Sequence, residues 1–231
     1  MNKKLYWSHD ESGCCGYEYD EQELDLTLES DGLCSLISEE AFNNRVKEGY
    51  DVSKPTLKHA MIDIETMGLT PNAAIVSIGA VLFDPRYGKL GKEEFYVELH
   101  WESQERLIDQ GTKEWWNSDK VGDEARKALD GFDELDDALK QLDEFLPADV
   151  KVWGNGPTFD MVILEDAYRQ CEMAVPWHFW NIRDCRTIKD LYESKRGGFD
   201  KKSGGTLHNA LDDAKMQAKY VTMMWRKILG E

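Results

Sequence analysis

The sequence predicts an α/β protein in which a mixed sheet is flanked by helices and preceded by a small acidic appendage. Residues 73–83 form an almost uninterrupted apolar run, which is typical of a strand at the centre of a sheet. Leu135, Leu139 and Leu142 recur at helical spacing. Residues 1–57 carry thirteen acidic and five basic residues, with too little apolar content for a core of their own. The chain of 231 residues, 41% of them hydrophobic, is long enough for one domain with a sizeable core.

The appendage is expected to form a separate small element at residues 1–57. Tyr6 and Trp7 indicate a short strand, and residues 38–47 have the pattern of a capped helix. The Cys-x2-Cys spacing of a zinc site is absent, which disfavours zinc as a ligand of this segment. The main domain is therefore placed at residues 58–231.

Three strands, predicted to follow one another as hairpins, open the main domain. Residues 60–65 form a short apolar strand, residues 73–83 the central strand, and residues 94–99 alternate between apolar and polar side chains. Gly68 marks the loop between the first two strands. A fourth strand is predicted at residues 151–153.

Four helices are predicted in the rest of the domain. Thr112 can cap a helix that runs through Trp116, and residues 133–146 place their large apolar side chains on one helical face. Residues 159–171 and 206–229 have the pattern of two further helices. Hairpin-connected strands followed by alternating helices and a strand indicate a mixed sheet with helices packed on it.

The charge of the chain restricts the kind of partner that it can bind. A net charge of −17 disfavours a broad basic surface that coats nucleic acid. It does not disfavour an enzyme that holds a few nucleotides at a metal site, because bound cations invert the local field. Residues 195–205 have a positive local charge, with four basic residues and one acidic residue. This segment either holds a strand backbone or is a solvated loop.

The sequence predicts no association with a membrane. No apolar run reaches the roughly 20 residues that a membrane span requires. The first residues carry two lysines and then turn acidic, without the apolar stretch of a signal peptide. The cytoplasm is therefore the expected compartment.

Two acidic residues on the first strand of the main domain are candidate metal ligands. Asp63 and Glu65 are two positions apart, so their side chains point to the same face, while Ile62 and Ile64 point to the other. A solvated acidic face would give the same pattern. Acids on an otherwise apolar strand that leads into a glycine-containing loop favour a site.

Three further residues are candidates in the second half of the chain. Asp160 follows a strand and a turn, where a carboxylate either stabilises the start of a helix or acts as a ligand. His208 and Asp213 lie near the start of the last helix with the spacing His-x4-Asp. Four converging carboxylates can hold two hard divalent cations, and a histidine beside them can take a proton from the attacking water. The combination favours phosphodiester hydrolysis.

These residues resemble the three exonuclease motifs of the DEDD superfamily, in its histidine subclass. The motifs are Asp63-x-Glu65, Asn155-x3-Phe159-Asp160 and His208-x4-Asp213. Three other segments are similar to the phage and bacterial group of exodeoxyribonuclease VIII-like or ribonuclease T-like 3′–5′ exonucleases: residues 63–68, Thr112-x2-Trp115-Trp116 and residues 180–187. The resemblance covers about residues 58–229 and implies a ribonuclease H-like fold.

The resemblance also implies a set of roles. Asp63, Glu65, Asp160 and Asp213 would hold two Mg²⁺ or Mn²⁺ ions, and His208 would be the general base. The substrate would be a nucleic acid with a free 3′ end, released as nucleoside 5′-monophosphates. The expected substrate-binding residues are Thr66, Met67, Gly68, Trp115, Asn155, Phe159 and Arg183, with Met67 wedged against the last base.

Several alternatives stay open at the level of sequence. Trp115 and Trp116 either stack on bases or pack in the core, and Arg183 and Arg186 either hold phosphates or pair with neighbouring acids. DNA is favoured over RNA, although the motifs do not reveal a reader of the 2′-hydroxyl. An inactive binding module is the alternative from another class. A homodimer is expected only by analogy with ribonuclease T, and a protein partner only for residues 1–57.

Overall fold

The computed structural model describes the main domain almost completely and the appendage in part. It covers the backbone of residues 4–8, 15–19 and 34–37, and it describes residues 57–86, 89–196, 198 and 208–229. The helix predicted at residues 38–47 lies outside the described residues, as does most of the basic segment 195–205. The chain divides into two units, of which the first holds Met1–Thr56, Tyr87–Lys89 and Glu231, and the second Leu57–Arg86 and Leu90–Gly230.

The first unit contains a three-stranded antiparallel sheet. Its central strand, β1 (Lys4–Ser8), pairs with β2 (Cys15–Tyr19) on one side and with β3 (Cys34–Ile37) on the other. The strand predicted at Tyr6 and Trp7 lies within β1. The other two strands were not predicted, because four or five residues with few β-branched side chains give little pattern to detect.

The second unit is built on a five-stranded mixed sheet with the strand order β6-β5-β4-β7-β8. Its first strands, β4 and β5, are antiparallel, whereas β7 runs parallel to β4 and β8 runs parallel to β7. The strands span β4 His59–Thr66, β5 Ile75–Asp84, β6 Lys89–Glu98, β7 Lys151–Gly154 and β8 Ile182–Asp184. The first four strands were predicted, and β8 escaped prediction because it has only three residues.

Six α-helices connect and cover the strands within the described part of the chain. They are α1 Gln110–Trp116, α2 Asp123–Arg126, α3 Leu135–Phe145, α4 Pro157–Gln170, α5 Cys185–Arg196 and α6 Ala210–Leu229. Helices α1, α3, α4 and α6 were predicted, whereas α2 and α5 were not. None of these helices combines the length and the apolar character that crossing a bilayer requires.

The cap of α1 differs from the prediction. Asp109, not Thr112, is the N-cap residue, and its side chain accepts a hydrogen bond of 2.7 Å from the backbone N–H of Thr112. Thr112 is already inside the helix, at its third position. The prediction was wrong because both residue types are good caps and the helix begins one turn earlier than expected.

The two faces of the main sheet are buried by different helices. Ile62 and Ile64 lie in a core cluster with Leu139 of α3 and Leu164 of α4. The side chain of Met61 points to the other face, where it packs with residues of β5 and α6. Since side chains alternate along a strand, Asp63 and Glu65 share the face of Met61, which α6 covers.

Gly79 determines how closely α6 approaches the sheet. It lies on β5 directly opposite Asp63 of β4. A Cβ atom at Gly79 would be 2.2 Å from the backbone nitrogen of Leu211 and 2.5 Å from the carbonyl oxygen of Ala210. The first turn of α6 therefore lies directly on the backbone of β5. This close approach brings Asp213, in the same turn, towards the acidic residues of β4.

We expect Gly79→Ala to destabilise the protein by at least the roughly 1–3 kcal/mol typical of overpacking, because the obstructing atoms are backbone and cannot rotate away. Gly122→Ala is the matched control, since a Cβ there has no atom within 4 Å. Urea denaturation of both variants measures the free energy of unfolding. Equal stability of the two variants would show that α6 is not held at this distance by Gly79.

Candidate active site

Three carboxylates from β4 and α6 form a cluster at one edge of the sheet. Asp63, Glu65 and Asp213 each offer one oxygen atom, and these atoms all lie within 4.8 Å of one another. All three side chains are partly exposed. We call these residues the carboxylate cluster. The sequence separates its members by up to 150 positions, and the close packing of α6 on β5 brings them together.

Asp160, at the start of α4, lies near this cluster, where its charge raises the pKa of Asp63 and Glu65, but it is not one of the three residues whose oxygen atoms lie within 4.8 Å of one another. Strands β4 and β7 are parallel, so the acids near the end of β4 and the turn that follows β7 meet at the same edge. The side chain of Asp160 is buried, and its Oδ1 accepts a hydrogen bond of 3.4 Å from the backbone N–H of Ile64. A Cβ at Gly154 would be 3.0 Å from the other oxygen of Asp160, so glycine leaves room for this carboxylate.

Burial raises the pKa of three of these acids, and the charges of neighbouring carboxylates raise the pKa of Asp63 and Glu65 further. Burial raises the pKa of Asp63 well above its usual range, and the charges of Asp160 and Glu65 raise it further. Burial together with Asp213 and Asp160 raises the pKa of Glu65 to about 8. Burial raises the pKa of Asp160 to about 7, against the opposing effect of the Ile64 N–H and the charge of Arg186. Carboxylates that repel one another in a confined space fit a hard divalent cation, which replaces the repulsion by attraction.

Gln217 completes the surroundings of the cluster and was not found from the sequence. It lies one helical turn beyond Asp213 on α6, and its Nε2 donates a hydrogen bond of 2.7 Å to Oδ1 of Asp63. The spacing i to i+4 from Asp213 places it on the same helical face. That spacing was the available signal, but a glutamine one turn from an acid is too common to be specific.

His208 is held beside the cluster by its backbone and by an aromatic contact. It precedes α6 in the left-handed region, with φ of 63°. Its backbone N–H donates a hydrogen bond of 3.2 Å to Oδ2 of Asp213. The imidazole ring meets the ring of Trp115 edge to face, with centroids 4.9 Å apart. The histidine side chain is therefore half-buried against an aromatic surface next to the carboxylates.

The residue after His208 is anchored to the sheet. The amide of Asn209 donates a hydrogen bond of 3.1 Å to the hydroxyl of Tyr96, which itself donates to Glu98. The side-chain oxygen of Asn209 also accepts from the backbone N–H of Asp212, which closes the first turn of α6. Tyr96 thereby fixes the start of α6 and the position of His208.

A pocket of about 400 Å³ opens beside Glu65 and takes in several of the predicted substrate-binding residues. We call it the Trp115 pocket. Its lining residues are Ile64, Glu65, Thr66, Leu69, Asp109, Gly111, Thr112, Trp115 and Phe159. The structure thus brings Thr66, Trp115 and Phe159 to one cavity that adjoins the cluster.

The two neighbouring tryptophans have different roles, and Met67 lies in the core. Trp116 is fully buried, and its Nε1 donates a hydrogen bond of 3.0 Å to the carbonyl oxygen of Thr66. Trp115 is only half-buried and faces the pocket. The side chain of Met67 is fully buried in the same core cluster as Trp116, so in this structure it is not placed to wedge against a base. Gly68 is buried as well, and its carbonyl oxygen accepts a hydrogen bond from the hydroxyl of Thr66.

The structure separates Arg183 from the cluster and brings Arg186 close to it. The guanidinium of Arg183 donates to the carbonyl oxygens of Trp180 and Ile182, towards the start of β8 and away from the edge that carries the acids. The guanidinium of Arg186 lies over Gly156, where a Cβ would be 2.8 Å from its Cζ. Asn155 lines a second cavity together with Arg186.

The comparisons with known proteins agree with this geometry. Residues 58–225 match the sequence model of the 3′–5′ exoribonuclease Rv2179c-like domain. An exodeoxyribonuclease of Enterobacteria phage T4 is 28% identical, over 55% of this chain and 68% of that protein.

Solved structures share the fold. Exonuclease I of E. coli in complex with a dT13 oligonucleotide superposes with a TM-score of 0.56 at 13% identity, over 74% of this chain and 42% of that protein. This chain therefore matches less than half the length of exonuclease I. The nuclease domain of 3′hExo, a DEDDh family member bound to rAMP, gives a TM-score of 0.51 at 15% identity, over 76% of this chain and 95% of that domain.

The likeness to exonuclease I and 3′hExo confirms the ribonuclease H-like fold that the motifs implied. The family model spans most of the chain and includes every residue of the carboxylate cluster, together with Asp160 and His208. The chain therefore belongs to the family of the 3′–5′ exoribonuclease Rv2179c-like domain.

Proposed function

We propose that this protein is a metal-dependent 3′–5′ exonuclease that hydrolyses single-stranded nucleic acid to nucleoside 5′-monophosphates. The observation that carries this proposal is the cluster of three carboxylates, with oxygen atoms within 4.8 Å of one another and the buried Asp160 beside them. Such an acidic set costs stability unless cations bind to it. The presence of all five candidate catalytic residues, Asp63, Glu65, Asp160, His208 and Asp213, disfavours an inactive binding module.

The donor set indicates the metal and the roles of the residues. Asp63, Glu65, Asp160 and Asp213 would hold two Mg²⁺ or Mn²⁺ ions, since hard cations prefer carboxylate oxygens. Bound ions of this kind stabilise the charge that develops on a phosphate and make water a stronger nucleophile. His208 would take the proton of the attacking water, because it lies next to Asp213 and its ring is supported by Trp115.

The Trp115 pocket would take the 3′-terminal nucleoside. Its volume of about 400 Å³ suits a small ligand, and Trp115 and Phe159 supply aromatic surface on which any base can stack. Thr66 follows Glu65 directly and lines the pocket, where it would contact the terminal sugar. The pocket opens at Glu65, so a nucleoside in it would present its 5′-phosphate to the carboxylates.

DNA is the proposed substrate, and RNA is the second candidate. The phage T4 relative is an exodeoxyribonuclease, which favours DNA, whereas the family is described by exoribonuclease activity, which favours RNA. A hydrogen bond to the 2′-hydroxyl would decide between the two, and such a contact forms only with the substrate bound.

The remaining proposals concern the appendage, partners and compartment. We place the exonuclease domain at residues 58–231 and a small acidic appendage at residues 1–57. The charge of −8 on the appendage repels phosphates, so it would serve a protein partner rather than form the main substrate surface. A homodimer and a cytoplasmic location, in the host if the gene is phage-encoded, complete the proposal.

Single-stranded oligonucleotides labelled at the 5′ end, DNA and RNA side by side, test the activity. With Mg²⁺ we expect a ladder that shortens from the 3′ end, and none with EDTA. Asp63→Asn is expected to lower the rate at least about 100-fold, because it removes a cation ligand. Asp119→Asn, an exposed acid outside the site, is the matched control. Asp63→Asn with the wild-type rate would defeat the proposed mechanism.

We expect His208→Ala to lose about 10²- to 10⁴-fold in rate, the usual contribution of a general base. Stabilisation by Mg²⁺ should persist, because the carboxylates remain. Calorimetric melting with and without Mg²⁺ separates the two effects. If the Mg²⁺-induced rise in melting temperature disappears together with the activity, His208 acts as a ligand and not as the base.

The free energy of unfolding of the metal-free protein is expected to fall as pH rises from 6.5 to 8. In the folded state, Asp160 and Glu65, whose pKa values are raised to about 7 and about 8, still bind protons in this window. In the unfolded chain both are ionised, so the folded state holds more protons and loses stability with rising pH. His59, whose pKa burial lowers from 6.5 to about 4, opposes this trend only near pH 6.5, because the unfolded imidazole still binds protons there and loses them as pH rises.

Urea denaturation in EDTA at pH 6.5 and pH 8 measures this slope. Glu65→Gln should flatten it, because the variant removes one of the acids whose pKa is raised in the folded state. Mg²⁺ should stabilise the wild type more at pH 8 than at pH 6.5, since cations and protons compete for the same oxygens. A metal-free protein that gains stability over this window would contradict the arrangement.

A further inference from the structure

A second cavity adjoins the carboxylate cluster from the side of α5. It has a volume of about 450 Å³ and is lined by residues that include Asn155, Arg186, Lys189 and Gln217. We call it the Arg186 pocket. It reaches the cluster through Gln217, whose Nε2 donates to Asp63. The Trp115 pocket reaches the cluster at Glu65, and the two pockets share no lining residue.

The Arg186 pocket is locally cationic in a chain of net charge −17. Within the described residues, the guanidinium of Arg186 has no hydrogen bond and no carboxylate at ion-pair distance, and it lies over the backbone at Gly156. Lys189 has only a surface contact of 3.6 Å with Glu193, which contributes little. Asp190 is the one acidic residue that lines this cavity.

The chemistry of these side chains matches a phosphate group. A guanidinium presents a fork of N–H donors to phosphate oxygens, and an ammonium adds a mobile point charge. Asn155 is exposed at the rim and offers an amide donor. The buried side chains of Val221 and Met224 form the floor of the cavity on the side of α6. Such a combination is typical of grooves that follow the backbone of a single strand.

We propose that Arg186 and Lys189 form a subsite for the phosphodiester backbone on the 5′ side of the scissile bond. This inference rests on the proposed exonuclease function. The terminal nucleoside would occupy the Trp115 pocket, the scissile phosphate would lie at the carboxylate cluster, and the next phosphates would lie in the Arg186 pocket. The two cavities are then successive parts of one path for the strand.

Two substrates of different length test the subsite. The p-nitrophenyl ester of thymidine 5′-monophosphate contains the terminal nucleoside and the scissile phosphate only, whereas dT12 also has the upstream phosphates. For Arg186→Ala combined with Lys189→Ala, we expect the ratio of kcat/KM on dT12 to that on the ester to fall at least about tenfold, through lost charge-assisted contacts. Lys219→Ala, an exposed residue of α6 outside both pockets, should leave the ratio unchanged.

Two results would overturn the subsite. An unchanged ratio would show that the upstream phosphates bind elsewhere. An equal loss on both substrates would show that Arg186 acts through the neighbouring Asp160, as a positioning residue. Because both substituted side chains are exposed, we expect normal folding, which the melting temperature of the variant checks.

A binding measurement separates failure of the subsite from failure of the proposed function. If the wild type hydrolyses neither substrate, the exonuclease proposal fails, and fluorescence anisotropy of dT12 on Asp63→Asn still tests the pocket. Adding the two alanine substitutions should weaken binding and reduce the slope of log K against log salt by about 0.7 per lost phosphate contact. Unaltered affinity and slope would overturn the subsite.

The same phosphate chemistry would also suit the free product, a nucleoside 5′-monophosphate. Titration of thymidine 5′-monophosphate distinguishes this source from the strand. If the double variant loses affinity for the monophosphate while the ratio of the two substrates stays at the wild-type value, the pocket is a product site and the strand assignment is wrong.

Discussion

The constraint on which the site depends is the repulsion among carboxylates that the fold holds close together. Asp63, Glu65 and Asp213 meet within 4.8 Å, and Asp160 adds a fourth, buried carboxyl group. Burial raises the pKa of Asp63, Glu65 and Asp160, and neighbouring carboxylates raise it further for Asp63 and Glu65. Ionising these groups without a bound cation therefore destabilises the folded protein. The rest of the structure has to supply the free energy that keeps them in place.

Backbone contacts, more than side chains, hold this arrangement. Gly79 lets the first turn of α6 rest on β5, and Gly154 leaves space for Asp160 after β7. The N–H groups of Ile64 and His208 donate to Asp160 and Asp213. These groups belong to the sheet edge and to the start of a long helix, so they cannot move without disrupting the core. The positions of the carboxylates are therefore fixed by the backbone of the sheet edge and of α6.

How much of this could be read from the sequence depends on how each feature is encoded. Some features are local and therefore visible in the sequence. They include the spacing Asp63-x-Glu65 on an apolar strand and the order of the three motifs. The fold and the family were predicted correctly from them. Gln217 was not predicted because a single polar residue on a long helix has no pattern of its own. It acquires a role only when α6 packs on β4 and its amide meets Asp63.

The roles of the aromatic and basic residues were also not predictable from the sequence alone. Trp115 and Trp116 are adjacent in the sequence, yet one faces a pocket and the other is a buried support for the carbonyl of Thr66. Arg183 and Arg186 lie one turn apart in the chain, but β8 ends between them, so that the first points to the start of β8 and the second to the cluster. The sequence shows that these residue types are present, whereas the ends of the strands and helices determine the direction of each side chain. Those boundaries are set by strand pairing across the sheet, which a local pattern does not record.

The distribution of charge also explains how so acidic a chain can act on a polyanion. A net charge of −17 gives no long-range attraction for phosphates, so association is not steered by the surface as a whole. Attraction must instead be local, from cations between the carboxylates and from Arg186 and Lys189 beside them. A strand is then held only where its end enters the site. Local attraction within a repulsive surround favours the end of a strand over the middle of a long duplex, which is a selectivity that an exonuclease requires.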